Sequence, residues 1–321
     1  MTRHENRQAM LRAARLYYID NLTQDEIARQ TNASRPTVSR LLQQARQEGI
    51  VEIRIIDPDA TQAELEGRLV ATFGLTEAVV ITSETAAADV ARRRVGQAAA
   101  AYLERTLQNG DVVGIGWGRT LHEVVGALDP PRQARISVVP LIGGLGQIAP
   151  MFQVHELARA LGSAFGGTWR SLYAPALVDS AELEDSLRRS PDLEEIAGLW
   201  NKLDVAIVGI GNVEAAAEVQ MLFVDYLSPS TQVRLRESGA VGDICVRFFD
   251  GRGRPCVDAV PGVIGIELGQ LRRTRRVVGV ASGAGKAQAI LGALRGKHVN
   301  TLVIDEAAAR GVLELYEANP S

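Results

Sequence analysis

From about residue 61 to residue 304, short runs of branched apolar residues alternate with longer segments of helical periodicity. That alternation restricts the fold more than any other feature of the chain. The runs at 78–82, 111–116, 136–141, 169–173, 205–210, 277–280 and 302–304 have the length of strands. The stretches at about 61–73, 86–107, 120–128, 153–165, 183–199 and 286–294 carry helix-spaced apolar residues. A strand that is apolar on both sides must be covered on both faces. The class is therefore α/β: a doubly wound, mostly parallel sheet between helices. Val241-Gly242-Asp243-Ile244, leading into residues 245–249, reads as an added antiparallel hairpin.

The first 57 residues have a different texture. Residues 7–48 read as three helices. Thr23 followed by Glu26 is a capping box, which starts the second helix. Thr31-Asn32-Ala33 makes a turn, and Ser34-Arg35-Pro36 opens the third helix with Ser34 as N-cap. Gly49 stops that helix, and residues 50–56 alternate as a strand. This order is a helix-turn-helix with a small wing. With Ile27, Ala28, Val38, Leu41 and Leu42 turned inward, Ser34, Arg35, Thr37, Ser39, Arg40 and Gln43 face out. Arginine can pair with guanine, glutamine with adenine, and the hydroxyls can hold phosphates. Nine arginines against seven acids give this segment a charge of +2 and leave −5 on the rest. A basic head on an acidic body assigns DNA contact to the head. A three-helix dimerisation bundle would also carry solvated arginines, but it would not require this capping, turn and outward polar face together.

Asp57-Pro58-Asp59-Ala60 breaks the pattern and marks the expected boundary between domains 1–57 and 58–321. No run approaches the ~18–20 apolar residues of a membrane span. No secretory signal precedes the head, so a cytoplasmic location is expected. Cys245 and Cys256 read as free thiols, and the four histidines lack metal-ligand spacing. No metal or cofactor is expected.

Three strand ends carry glycine loops. They are Gly114-Ile115-Gly116-Trp117-Gly118-Arg119-Thr120, Gly143-Gly144-Leu145-Gly146, and Ala281-Ser282-Gly283-Ala284-Gly285-Lys286. In open α/β sheets ligands bind at such ends, where helix N-termini favour anions. Lys286 stands out, because the chain has three lysines against 32 arginines and this one opens a helix. A P-loop would need glycine at Val280 and a hydroxyl at Ala287, and a dinucleotide fingerprint would need glycine at Arg119. Neither condition is met, so a kinase, an ATPase and an NAD dehydrogenase are poorly supported. Asp243 can accept sugar hydroxyls or cap a turn. His122 and His155 read as ordinary helix-face residues.

These motifs together resemble the SorC/DeoR-type sugar-binding transcriptional regulators across nearly the whole chain. In the head the likeness runs through Tyr17-Tyr18, Leu22-Thr23-Gln24-Asp25-Glu26-Ile27-Ala28 and Val38-Ser39-Arg40-Leu41-Leu42. In the body it runs through Gly143-Gly144, residues 204–211, Gly239-Ala240-Val241-Gly242-Asp243, Lys286-Ala287-Gln288-Ala289-Ile290 and residues 300–306. The resemblance implies a winged helix-turn-helix joined to a domain like the sugar-phosphate isomerases, one that binds its effector without turning it over. It implies operator DNA, a phosphorylated sugar or polyol effector, and a homodimer or homotetramer. It assigns effector contact to Gly116, Trp117, Gly118, Arg119, Thr120, Gly143, Gly144, Asp243 and Lys286. Two departures matter. Pro140-Leu141-Ile142 precedes Gly143 with no lysine, which disfavours an imine-forming mode, and Arg119 is unusual in the phosphate loop. An isomerase or deaminase-like enzyme with an appended head would need an acid–base pair beside that loop, and Asp243 has no evident partner.

Overall fold

The computed structural model describes residues 3–51, 58–82, 87–130, 132–146, 150–213, 227–257, 259–260 and 262–320. The chain divides into two compact units, Met1–Asp57 and Pro58–Ser321.

The smaller unit holds α1 (Arg3–Tyr18), α2 (Gln24–Thr31) and α3 (Arg35–Gln47). Met10, Ala13, Ala14, Ile27, Val38, Leu42 and Ala45 bury their side chains between the helices. Both halves of the capping box form. The Thr23 side chain accepts from the Glu26 amide, and Glu26 accepts from the Thr23 amide at 2.8 Å. Asn32, left-handed at φ +52°, ends α2. Ser34 caps α3 by accepting from the Thr37 amide, with Pro36 in the first turn. From residue 52 the expected wing lies outside the described residues. Ile50 and Val51 do not begin a strand; both amides donate to the Ala45 carbonyl at the end of α3.

In the larger unit, seven strands form one sheet, parallel at every pairing. Its order is β1 (Glu77–Ile81), β10 (Thr301–Asp305), β9 (Arg276–Val280), β5 (Val205–Gly209), β2 (Val112–Ile115), β3 (Ser137–Pro140) and β4 (Thr168–Trp169). Alternate residues feed opposite faces, as the pleat requires. Ala206 and Val208 join one core with α4 (Pro58–Phe73), α9 (Pro191–Trp200), α12 (Ala287–Arg295) and α13 (Glu306–Ala318). Val205 and Ile207 join the other with α5 (Ala88–Thr106), α6 (Arg119–Gly126) and α7 (Val154–Ala164). The sheet is doubly wound, as the apolar strands required.

A second, antiparallel sheet of β6 (Gly211–Asn212), β7 (Ala240–Ile244) and β8 (Arg247–Asp250) is inserted between β5 and β9. The added hairpin is present, but Cys245 and Val246 form its turn rather than starting its second strand. Two other expectations are corrected. The strand at 169–173 shrinks to an edge of two residues, Thr168–Trp169, because the following segment pairs instead with Gly144 and Val263. The helix at 183–199 is two helices, α8 (Ala181–Arg188) and α9. Pro191 disfavours a helical residue before it and opens α9. Helices α10 (Pro229–Glu237), α11 (Leu268–Leu271) and α13 were not anticipated.

Chain order places the site. Strands β2, β3 and β4 step to one side, while β5, β9 and β10 step to the other. The order reverses between neighbours β2 and β5, and a crevice opens beyond the carboxyl ends of strands at such a point.

Candidate functional site

From β2 the chain enters this crevice as Gly116-Trp117-Gly118. The Gly116 amide donates to Ile207 O on β5 (2.9 Å), and the Gly118 amide to Phe152 O (3.2 Å). These glycine amides are therefore used. The donors that remain are the first amides of α6, at Arg119 and Thr120, which bond no described residue. A helix start with unpaired N–H groups favours an anion.

Lys286 and Asp243 reach the same region from two other elements. Asp305 accepts the Gly283 amide on one oxygen (2.6 Å) and the Ala308 amide on the other (2.8 Å), which pins the turn Ala284–Lys286 to the start of α13. Lys286 Nζ donates to Ile210 O (3.0 Å), at the end of β5. An ammonium has three donors, so capacity for a ligand remains. Asp243 on β7 pairs with Gly211 and is 4% exposed. A Cβ on Gly211 would lie 1.8 Å from Asp243 Oδ1, so glycine alone admits the carboxylate there. Asp243 Oδ2 accepts the Val246 amide (3.1 Å) inside the hairpin turn, where Cys245 and Val246 stand at φ +51° and +62°.

Burial governs both charges. It pushes the Asp243 carboxyl up to about 6, against the pull of the Val246 amide and of Lys286. It pulls the Lys286 ammonium down, with Asp243 opposing and Arg92 adding to the effect. The two groups feel each other without forming a direct ion pair, so their residual demand is open to a ligand carrying both donors and acceptors.

Gly143 and Gly144 have another local role. Their amides donate to Ile264 O (2.9 Å) and Ala174 O (2.8 Å), and so do not form an anion cradle. A Cβ on Gly143 would stand 2.5 Å from Pro175 O; the glycine answers close backbone packing. Gly144 instead abuts His155. Burial pulls the His155 ring below its ordinary range, with Glu156 opposing, and its Nδ1 has no partner. His122 stacks edge-on against Phe152. The sequence reading passed over Asn212, whose amide nitrogen donates to Gly285 O (2.5 Å), one residue before Lys286. Its only signal was its place after the glycine end of β5.

In the head, Ser34, Arg35, Ser39, Arg40 and Gln43 are exposed and Thr37 is half-buried, on faces of α3 turned away from Val38, Leu42 and Ala45. The Ser34 hydroxyl is engaged in the helix cap, bonding Thr37 Oγ1 at 2.8 Å. Arg35 lies 3.7 Å from Asp25 on α2. Arg40 and Gln43 extend from the middle of the exposed face.

One chain that carries a capped helix-turn-helix and a doubly wound sheet with a polar crevice at its switch point defines a transcription regulator with a DNA-binding head and a ligand-binding body. Known proteins narrow the class. Residues 58–314 match the family model described as "Putative sugar-binding domain", and residues 7–63 match the "Crp-like helix-turn-helix domain". The chain belongs to the SorC/DeoR-type sugar-binding transcriptional regulators. It is 35% identical to the deoxyribonucleoside regulator of Bacillus subtilis, over 96% of this chain and 98% of that one. It is 32% identical to the sorbitol operon regulator of Klebsiella pneumoniae, over 98% and 100%. The crystal structure of that full-length regulator, SorC, superposes with a TM-score of 0.75 over 95% of this chain and 98% of its own. The sugar-binding domain of a transcriptional repressor from Vibrio fischeri matches at TM-score 0.72 and 29% identity, over 79% of this chain and 99% of that one. Among the described residues no helix is long and apolar enough to cross a membrane.

Proposed function

We propose that this regulator is a cytoplasmic repressor whose grip on operator DNA is set by a phosphorylated sugar or polyol bound at the β2/β5 switch point. One observation carries the reading: two unpaired amides at the start of α6, an ammonium with spare donors on the Ala284–Lys286 turn and a buried carboxylate on β7 meet at one crevice from three separate elements. The amides of Arg119 and Thr120 and the Lys286 ammonium suit a phosphate. Asp243 suits hydroxyls. Gly116, Trp117 and Gly118 shape the loop, and Gly143 and Gly144 back the crevice. Ser34, Arg35, Thr37, Ser39, Arg40 and Gln43 form the DNA face, and the protein acts as a homodimer or homotetramer. The names of the relatives favour a sensor over an enzyme, since they are regulators. Binding shifts an equilibrium between conformations that differ in DNA affinity.

The test is a gel-shift titration on the protein's own promoter, with and without a panel of phosphorylated sugars and polyols. At least one compound should release the DNA and raise the melting temperature of the free protein. Lys286→Ala should keep operator affinity while losing the response. A panel that changes neither readout, or a Lys286→Ala protein with a full response, would refute the assignment.

A further inference from the structure

A second cation acts on Lys286, from a helix that the sequence reading left out of the site. Helices α5 and α6 each return from the carboxyl end of one parallel strand to the start of the next, over the same face of the sheet, so they run parallel to each other. They meet backbone to backbone at Gly96, where a Cβ would lie 2.6 Å from Glu123 Cβ and 2.9 Å from its carbonyl carbon. One turn earlier on the two helices stand Arg92 and Arg119. The close approach at Gly96 therefore sets Arg92 beside the start of α6, where the amides of Arg119 and Thr120 bond no described residue. Helical side chains lean toward the N-terminus of their own helix, which for α5 is the crevice end. Arg92 is covered without being neutralised from within. Its side chain is 20% exposed, and its partner among the described residues, Asp89 (2.7 Å), is 84% exposed. A guanidinium has five N–H donors, and this contact uses one. The Arg92 charge reaches Lys286, whose ammonium it helps to pull down. Asp243 offsets part of the charge on Lys286 and Asp89 part of that on Arg92, but the first is tied to the hairpin turn and the second lies out in water. Two cations so placed beside free amides repel each other until an anion lies between them.

We propose that Arg92 is a phosphate-binding residue of this crevice, completing with Lys286 and the first amides of α6 a seat for a dianionic phosphate. The ligand class is then narrower than an anion. It is a phosphate monoester, whose two charges answer two cations; a monoanion would leave one of them unmatched. This rests on the reading of the crevice as a phosphorylated-sugar site, and the experiment separates the two.

Titration calorimetry on the full chain would use ribose 5-phosphate, glucose 6-phosphate and sorbitol 6-phosphate, each beside the sulfate ester of the same sugar. A phosphate ester carries about −1.5 to −2 at pH 7, and a sulfate ester a single negative charge. The wild-type protein should bind one of the phosphates and prefer it to its sulfate. Arg92→Ala loses a charge-assisted contact and should bind that phosphate roughly tenfold to a hundredfold more weakly. Coulomb attraction scales with charge, so the sulfate should lose only about threefold to tenfold, and the preference should shrink by about the same factor. The ratio is the deciding readout, because an arginine that merely held α5 against α6 would weaken both ligands alike and leave it intact. Arg92→Lys keeps the charge and should restore most of the preference. Should the alanine variant fail to fold, Arg92→Gln removes the same charge and is judged by the same ratio. A wild-type protein that binds a phosphate without preferring it to the sulfate, or a preference that survives loss of the charge, overturns the role of Arg92 alone. No binding of any phosphate overturns the crevice reading along with it.

Discussion

The head and the crevice hold their working groups on opposite sides of the solvent boundary. On α3 the side chains of Arg40 and Gln43, proposed to face DNA, stand in water, while Val38, Leu42 and Ala45 hold the fold. In the crevice Asp243 is buried and Lys286 is mostly covered. Function in the head is added to a fold that does not depend on it. In the crevice the fold bears the cost of burying charged groups, so under the proposed function stability and binding are coupled there.

Asp243→Asn tests that contrast most strongly. Burial pushes the folded carboxyl from an ordinary 3.8 up to about 6, so folding takes up protons between those limits. The cost is absent below 3.8, grows as pH rises, and is complete above 6. By linkage it reaches about 3 kcal/mol. The asparagine protein without ligand should therefore be more stable than wild type at pH 8, by up to ~3 kcal/mol in a urea titration. The gain should be roughly half as large at pH 5. Its response to effector should fall. An asparagine protein less stable at pH 8 would break the contrast, for it would make Asp243 a fold-supporting residue.

His298 sharpens the contrast from within the same unit. It is fully buried, its Nε2 bonds the Gly253 carbonyl (2.9 Å), and its ring lies against Phe249. Burial pulls it down to about 4 from 6.5. Here the neutral form is the one the fold uses. Its contribution is complete above 6.5 and is lost as pH falls toward 4, again about 3 kcal/mol. Asp243 and His298 thus act in opposite directions over nearly the same window and largely offset each other in the wild-type chain. The acid limb should emerge in Asp243→Asn, as a urea midpoint dropping between pH 6.5 and 4.5. Adding His298→Gln should flatten it. A midpoint that stays level in Asp243→Asn would remove His298 from the account.

What the sequence disclosed follows the same division. Thr23 with Glu26, and Ser34 with Pro36, act over three residues, so spacing alone revealed both caps. Apolar strands revealed the sheet, because burial on two faces leaves no alternation. The crevice depends on residues far apart in the chain, and only part of it was legible. Lys286 and Asp243 were visible as residue types in unusual places. The Cys245-Val246 turn was not, since two left-handed positions usually call for glycine or asparagine. Asn212 was invisible, because its bond to Gly285 belongs to tertiary packing. Gly143 and Gly144 looked like a cradle, yet their amides are taken by Ile264 and Ala174. Pattern shows that a glycine is required without showing whether a ligand or a neighbouring strand requires it.

The smallest expected effects lie in the head, where they should separate cleanly. Arg40→Ala removes an exposed side chain that could pair with a base, and operator affinity should fall by about 1–3 kcal/mol. Head stability should not change, because Arg40 lies on the face away from the Met10–Ala45 core. Thr23→Ala should do the reverse. It removes the hydroxyl that accepts from the Glu26 amide and leaves the Glu26 carboxylate bonded only to the backbone at residue 23. Losing such a cap costs about 1 kcal/mol. Thr23 lies outside α3, so DNA affinity should weaken only by the fraction of heads unfolded. Thermal melts of the two variants beside gel-shift titrations would settle the separation. An Arg40→Ala head that melted early, or a Thr23→Ala head fully folded yet unable to bind, would show function and fold in the head to be as entangled as they are around Asp243.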